Sequence, residues 1–208
     1  TQFERMLDIS GTDFNVTESG LGWILQDSGL TLKASDSHIH LVGSVQFINQ
    51  GDKRLHFYRL SGYSSNTNCS SEGSYSIFHS MIFHEKQSAI LGGFKADSLI
   101  FMGKTSTVEG NLDSLRVTLF FEDNGLYKGN SNVSEYLWFN KPGKVEGYNT
   151  IDTCLFIHKG EVLYNNIIDT CFVGRNGTII GNNQINSVVL KGNGNIKGNN
   201  RFGDLYLT

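Results

Sequence analysis

The stretch from Thr150 to Thr208 decides the fold. It reads TIDTCLFIHKGEVLYNN (150–166), IIDTCFVGRNGTIIGNN (167–183), QINSVVLKGNGNIKGNN (184–200) and RFGDLYLT (201–208). Written in rows of seventeen, Ile151, Ile168, Ile185 and Phe202 share one column. Leu137, Cys154, Cys171, Val188 and Leu205 share a second, and Phe139, Phe156, Val173, Leu190 and Leu207 a third. Gly143, Gly160, Gly177 and Gly194 align, as do Val145, Val162, Ile179 and Ile196, and as do Asn149, Asn166, Asn183 and Asn200. A fixed period near twenty, built from short apolar runs punctuated by Gly and Asn, is the signature of a solenoid. Each row is then one coil of a parallel β-helix. Side chains two apart on a strand face the same way, so Cys154 and Phe156 both point inward and stack on their counterparts in neighbouring coils. Seventeen residues at ~3.3 Å each give a perimeter of roughly 56 Å, enough for a flattened coil around a dry core. Asn amides recurring at one corner can bond to each other along the axis, as ladders do in cross-β structures. No segment sustains helical apolar spacing.

Working outward, the same strand pattern recurs as Phe78-His79-Ser80-Met81, Ala96-Asp97-Ser98-Leu99, Leu112-Asp113-Ser114-Leu115, Ser134-Glu135-Tyr136-Leu137 and Ile151-Asp152-Thr153-Cys154. The uneven spacing places insertions between matched strands, the longest around EDNGLYKGNSN (122–132). Residues 76–208 are thus expected to form regular coils. Residues 61–75, the most polar segment, read as a protruding loop. Residues 1–60 read as irregular coils, with a small cap of strands as the alternative. Their β-type runs are Met6–Ile9, Gly22–Leu25, Leu30–Leu32, Ile39–Leu41, Val45–Ile48 and Leu55–Leu60. The 208 residues are read as one domain.

Composition agrees and excludes some functions. Charged residues are 18%, against roughly 25% in ordinary globular chains, while Gly numbers 24 and Pro only one. The net charge is -3 and no basic run exists, so nucleic acid is not an expected partner. No apolar stretch approaches the ~18 residues of a membrane span. No signal peptide is recognised; the chain opens on TQFERM and closes on what reads as the first strand of a further coil, so a longer parent is expected.

The cysteines are Cys69, Cys154 and Cys171. The last two fall one coil apart, ~4.8 Å, which a disulfide allows. Two stacked, buried, reduced thiols are the preferred reading, because in-register neighbours point the same way. Cys69 reads as a loop thiol.

Two columns carry the candidate function. Asp97, Asp113, Glu135, Asp152 and Asp169 form an acidic one, followed by Asn186. Asp97, Asp113, Asp152 and Asp169 could act as a calcium ladder or a carbohydrate site, since aligned carboxylates suit hard cations. They could equally be turn residues accepting backbone N–H bonds. The turn reading is preferred, because stacked like charges repel. No other cofactor is expected. The second column, Trp138, Leu155, Phe172, Val189 and Tyr206, lies between the inward ones and should face out. An apolar, aromatic stripe of that kind meets a glycan, a protein, or a covering loop or domain.

Catalytic signals are lacking. There is no G-x-S-x-G, P-loop or H-E-x-x-H. Asp152 and Asp169 stand about as far apart as a retaining glycosidase pair, roughly 5 Å, but as members of a ladder. His38 and His40 share a strand face and could pair with His56 around a metal; ordinary surface histidines are the preferred reading, and no metal site is assigned.

The matched rows resemble the right-handed β-helix repeats of large secreted and cell-surface proteins of Gram-negative bacteria, where strands like RFGDLYLT and DSLIF recur with Asn-rich turns. The resemblance covers Phe78 to Thr208. It implies a surface-exposed stalk or adhesin segment of a longer exported protein. In one bacterial phylum such proteins leave by the type IX secretion route, whose signal this chain does not carry. Asp97-Ser98-Leu99, Asp113-Ser114-Leu115, Asp152-Thr153-Cys154 and Asp169-Thr170-Cys171 also look like bacterial O-glycosylation sequons, although their recurrence with the coil reads first as turn chemistry. The expectation is therefore an all-β, right-handed parallel β-helix of about ten coils with ~17–22 residues each. Its leading function is structural or adhesive and non-enzymatic, at the cell surface or secreted. Expected partners are other domains of the parent, secretion or anchoring machinery, and glycans. A carbohydrate-active lyase or hydrolase, or a glycan-binding module, is the alternative.

Overall fold

The computed structural model describes residues 5–17, 20–25, 30–34, 36–42, 45–49, 55–63, 68–71, 76–85, 94–103, 106–109, 118–129 and 132–208. Among them there is no helix; every regular element is a strand and every strand pairing is parallel. The spine is an eleven-stranded sheet. Its strands are Asp13–Val16, His38–Leu41, Leu55–Gly62, Ser76–Phe83, Phe94–Phe101, Thr118–Phe121, Asn132–Phe139, Thr150–Phe156, Ile167–Val173, Gln184–Leu190 and Arg201–Leu207. Between the later ones run six strands of a second parallel sheet: Ser106–Glu109, Gly125–Gly129, Gly143–Gly147, Gly160–Tyr164, Thr178–Gly181 and Asn195–Lys197. The chain alternates between the two sheets, which is the path of a β-solenoid. About six turns supply a strand to both sheets, fewer than the ten coils expected. Ahead of them the long sheet continues over smaller ones: Gly20–Leu25, Val45–Asn49 and Asn68–Ser71 form a trio, and Arg5–Asp8 pairs with Leu30–Lys33.

The seventeen-residue register is the vertical stacking. Ile151 pairs with Ile168, Ile168 with Ile185, and Ile185 with Phe202. Cys154, Cys171 and Val188 are stacked and fully buried, as are Phe156, Val173 and Leu190. The Phe121, Phe139 and Phe156 rings stack face to face, with centroids 4.8 and 4.7 Å apart. Tyr127, Val145, Val162 and Ile179 close the core from the second sheet. The glycine column has a packing reason. A Cβ at Gly143 or Gly160 would lie 2.2–2.3 Å from the Phe139 or Phe156 ring, so the backbone rests on an aromatic face that only glycine admits.

Three expectations are corrected. Leu99 stacks on Leu119, not Leu115, and Leu119 on Leu137, so the coil spacings there are 20 and 18 residues. Asp113 and its neighbours fall outside the described residues. The supposed insertion at 122–132 is mostly strand: Gly125–Gly129 pairs with Gly143–Gly147, and Gly125 sits against Phe121 as Gly143 sits against Phe139. An Asn-Gly and a Lys-Gly step imitate a loop, whereas Gly125 serves close packing and Gly129 pairs with Gly147 in the strand. Finally, residues 61–75 are not all loop. Ser61 and Gly62 end a long-sheet strand, and Asn68–Ser71 pairs with Val45–Asn49; residues 64–67 and 72–75 lie outside the description.

Candidate functional site

The strand Thr150–Phe156 turns a corner. Ile151 and Cys154, three apart, are both buried, and Asp152 drops out of the ladder that pairs Ile151 with Ile168 and Thr153 with Thr170. The next coils repeat the break at Asp169 and Asn186, and the last strand repeats it at Gly203. One coil earlier, Ser134 and Glu135 together oppose the single Asp152, a β-bulge. Consequently Val133, not Ser134, faces Ile151. The polar pair Asp152 and Thr153 at the corner lets the strand fold round while Ile151 and Cys154 stay inside.

On the outer side of this corner runs a groove of about 400 Å³. Residues either side of a buried isoleucine face outward together. Thr150, Ile167, Gln184 and Arg201 therefore form one wall and Asp152, Asp169 and Asn186 the other, along the solenoid axis. Asn186 Nδ2 donates to Asp169 Oδ1 at 3.0 Å, and the Thr170 hydroxyl donates to Asp169 Oδ2 at 3.4 Å. Ile167 is half exposed and gives the groove an apolar patch. A channel of amide, hydroxyl, carboxylate and guanidinium groups beside exposed aliphatic surface can hold an extended polar chain. Its acidic wall holds two carboxylates, Asp152 and Asp169, on adjacent coils, followed by Asn186 and Gly203.

The acidic ladder is only partly assembled. Asp152 and Asp169 are on adjacent coils, but Asp97 lies three strands away, roughly 14 Å along the axis, and cannot share an ion with them. Its carboxylate instead contacts His79 Nδ1 at 3.0 Å. Glu135 lies in the bulge.

The stripe is in register on the outer face: Trp138, Leu155, Phe172, Val189 and Tyr206 are successive partners. Trp138 and Tyr206 are exposed, at 40% and 54%, while Leu155, Phe172 and Val189 are half-buried by their neighbours. Phe120 extends it, its ring 5.6 Å from that of Trp138. The Lys191 ammonium sits 5.2 Å above the Phe172 ring. Sequence reading missed the wall of Thr150, Ile167, Gln184 and Arg201, although the period that aligned the aspartates aligns these too.

No known family, curated protein or solved structure matches the chain. No helix among the described residues is long and apolar enough to cross a membrane.

Proposed function

We propose that this chain is a non-enzymatic structural or adhesive segment of a larger exported protein, displayed at a cell surface or secreted. The carrying observation is the register itself. The groove and the aromatic stripe are both continuous columns, one residue per coil, which suits repeated contact along an elongated partner. Glycans fit the groove's polar walls and exposed aliphatic patch. Other domains of the parent, or its secretion and anchoring machinery, fit the stripe. Adhesin character, a Gram-negative source and type IX export rest on the resemblance of the coil sequence alone.

A carbohydrate-active enzyme is the second reading, favoured by the adjacent Asp152 and Asp169 lining one groove. Retention on a glycan array, combined with turnover assays on acidic and neutral polysaccharides, separates the two. The adhesive reading expects retention without cleavage. Cleavage that disappears in Asp152→Asn or Asp169→Asn would replace it with the enzymatic one. Melting with calcium against a chelator tests the cation ladder, for which an unchanged midpoint is expected.

A further inference from the structure

At the other end of the long sheet, three side chains converge on one point. His38 and His40 alternate on the strand His38–Leu41 and so share a face, their ring centroids 3.8 Å apart. Asp13 lies opposite His38 on the adjoining strand. Asp13 Oδ1 stands 3.4 Å from His38 Nδ1 and 3.6 Å from His40 Nε2, and the three ligand atoms lie within 4.8 Å of one another. Tetrahedral zinc with bonds of about 2.0–2.1 Å holds its donors roughly 3.3 Å apart, so only small side-chain movements separate this arrangement from coordination.

The surroundings are those of ligating histidines. A metal-bound imidazole ordinarily donates its other ring N–H to an outer partner that fixes its orientation. His38 Nε2 lies 2.8 Å from Ser61 Oγ, and His40 Nδ1 lies 3.3 Å from the Tyr63 hydroxyl. Tyr63 is itself stacked on His84, with centroids 4.4 Å apart. The nearby Arg59 is turned away, its Nε donating to Ser80 Oγ at 3.2 Å. The Asp13 side chain is 76% exposed, which leaves a route for an ion and an open coordination position. The sequence had suggested His56 as the third member, but the register sets Arg59, not His56, opposite His38. We propose that Asp13, His38 and His40 bind a divalent transition-metal ion of the zinc class. Two imidazoles and one carboxylate select such an ion over calcium or magnesium, which prefer all-oxygen shells. Neutral imidazole is the ligating form of both histidines, so binding should weaken as pH falls.

The test is calorimetric titration of zinc chloride into the full chain, made without a histidine tag. One saturable site is expected. Affinity should fall at least about tenfold in Asp13→Asn and in His38→Gln/His40→Gln, and about tenfold in Tyr63→Phe, which removes only the outer partner. His79→Gln, which alters the separate His79–Asp97 pair, should leave it unchanged. Zinc should shift the imidazole nitrogen resonances of His38 and His40 and not those of His79. Absence of saturable binding, equal affinity in the double histidine variant, or a matching loss in His79→Gln would overturn the assignment. Circular dichroism checks the fold, and Asp13→Asn, altering an exposed side chain, keeps the test decisive if the histidine variants unfold.

Discussion

Asn166 donates its side-chain amide to Asn183 Oδ1 at 2.9 Å, across one full turn of the solenoid, with both residues completely buried. The same Nδ2 also reaches the carbonyl of Leu163 at 2.8 Å, and its Oδ1 accepts from Asn149 at 2.7 Å. Asn183 repeats the pattern onto Asn200. Asn is thus both corner cap and rung, tying each coil to itself and to the next. Asn166→Ala leaves the Leu163 carbonyl and the Asn149 amide each short of a partner; at about 1–3 kcal/mol per orphaned group, a loss of about 3 kcal/mol is expected. Asn166→Asp should be worse, since it directs a carboxylate at two oxygens. Asn200→Ala, on a partly exposed rung, should cost clearly less. Denaturant unfolding measures all three, and equal costs at the buried and terminal rungs would contradict the ladder.

Two positions four residues apart should respond in opposite directions to changes involving glycine. Gly160 lies against Phe156, and an added Cβ would stand 2.3 Å from the ring; Gly160→Ala should cost several kcal/mol, more than the 1–3 usual for overpacking. Tyr164 adopts φ of 79°, in a column otherwise held by Gly147, Gly181 and Gly198 at positive φ. Such backbone costs a side-chain-bearing residue about 1–3 kcal/mol. Tyr164→Gly removes that strain and gives back about 0.5–1 kcal/mol in unfolded-chain entropy. Stability equal to the parent or about 1 kcal/mol higher is the expected outcome of thermal and denaturant melts.

Adjacent residues on one strand should also behave unlike each other. Phe139 is buried between the rings of Phe121 and Phe156, while Trp138 beside it is 40% exposed. Phe139→Ala should cost about 3–5 kcal/mol. Trp138→Ser should cost under about 1 kcal/mol, and together with Phe172→Ser should abolish any retention on a partner through the stripe. Comparable losses of stability at both positions would mean that the stripe is covered within the fold.

The fold was legible because a coil repeats its requirements. Asn149, Asn166 and Asn183 announce a corner, and Val162 and Ile179 an inward column, long before any coordinates. Six N-terminal runs also correspond to strands, since alternation such as Ile39 with Leu41 needs no repeat to be seen. What escaped were places where spacing varies. Leu112-Asp113-Ser114-Leu115 reads as the matched strand because Asp-Ser-Leu imitates the corner motif, whereas Leu119 is the residue that stacks on Leu99. Asp13–Val16 was overlooked as a strand, its polar Asp-Phe-Asn-Val offering one buried residue in four. With it went Asp13, the partner that gives His38 and His40 a common focus. Such a cross-strand meeting depends on a 25-residue register that no repeat discloses. The groove was half-seen for a similar reason: its acidic wall is chemically conspicuous, its Thr, Ile, Gln and Arg wall is not.

Cys154 and Cys171, paired in register and both buried, are free thiols stacked between Leu137 and Val188. Burial, and then the neighbouring Cys171 thiol, push the Cys154 pKa well above its ordinary value of 9.0. In the unfolded chain that thiol ionises as pH passes 9.0, whereas the folded core keeps it protonated. The unfolded state therefore releases a proton the native state retains, and stability must fall as pH rises above that point. Below it the contribution is constant. Denaturant unfolding across this range should show a decline on the alkaline side that Cys154→Val makes shallower, while the substitution itself costs about 1–3 kcal/mol because it adds a methyl group to a fully buried column. Ellman's reagent should find Cys154 and Cys171 unreactive until denaturant is added. Rapid reaction of either thiol in the native chain, or an alkaline slope unaltered by Cys154→Val, would mean that this column is not the closed interior described.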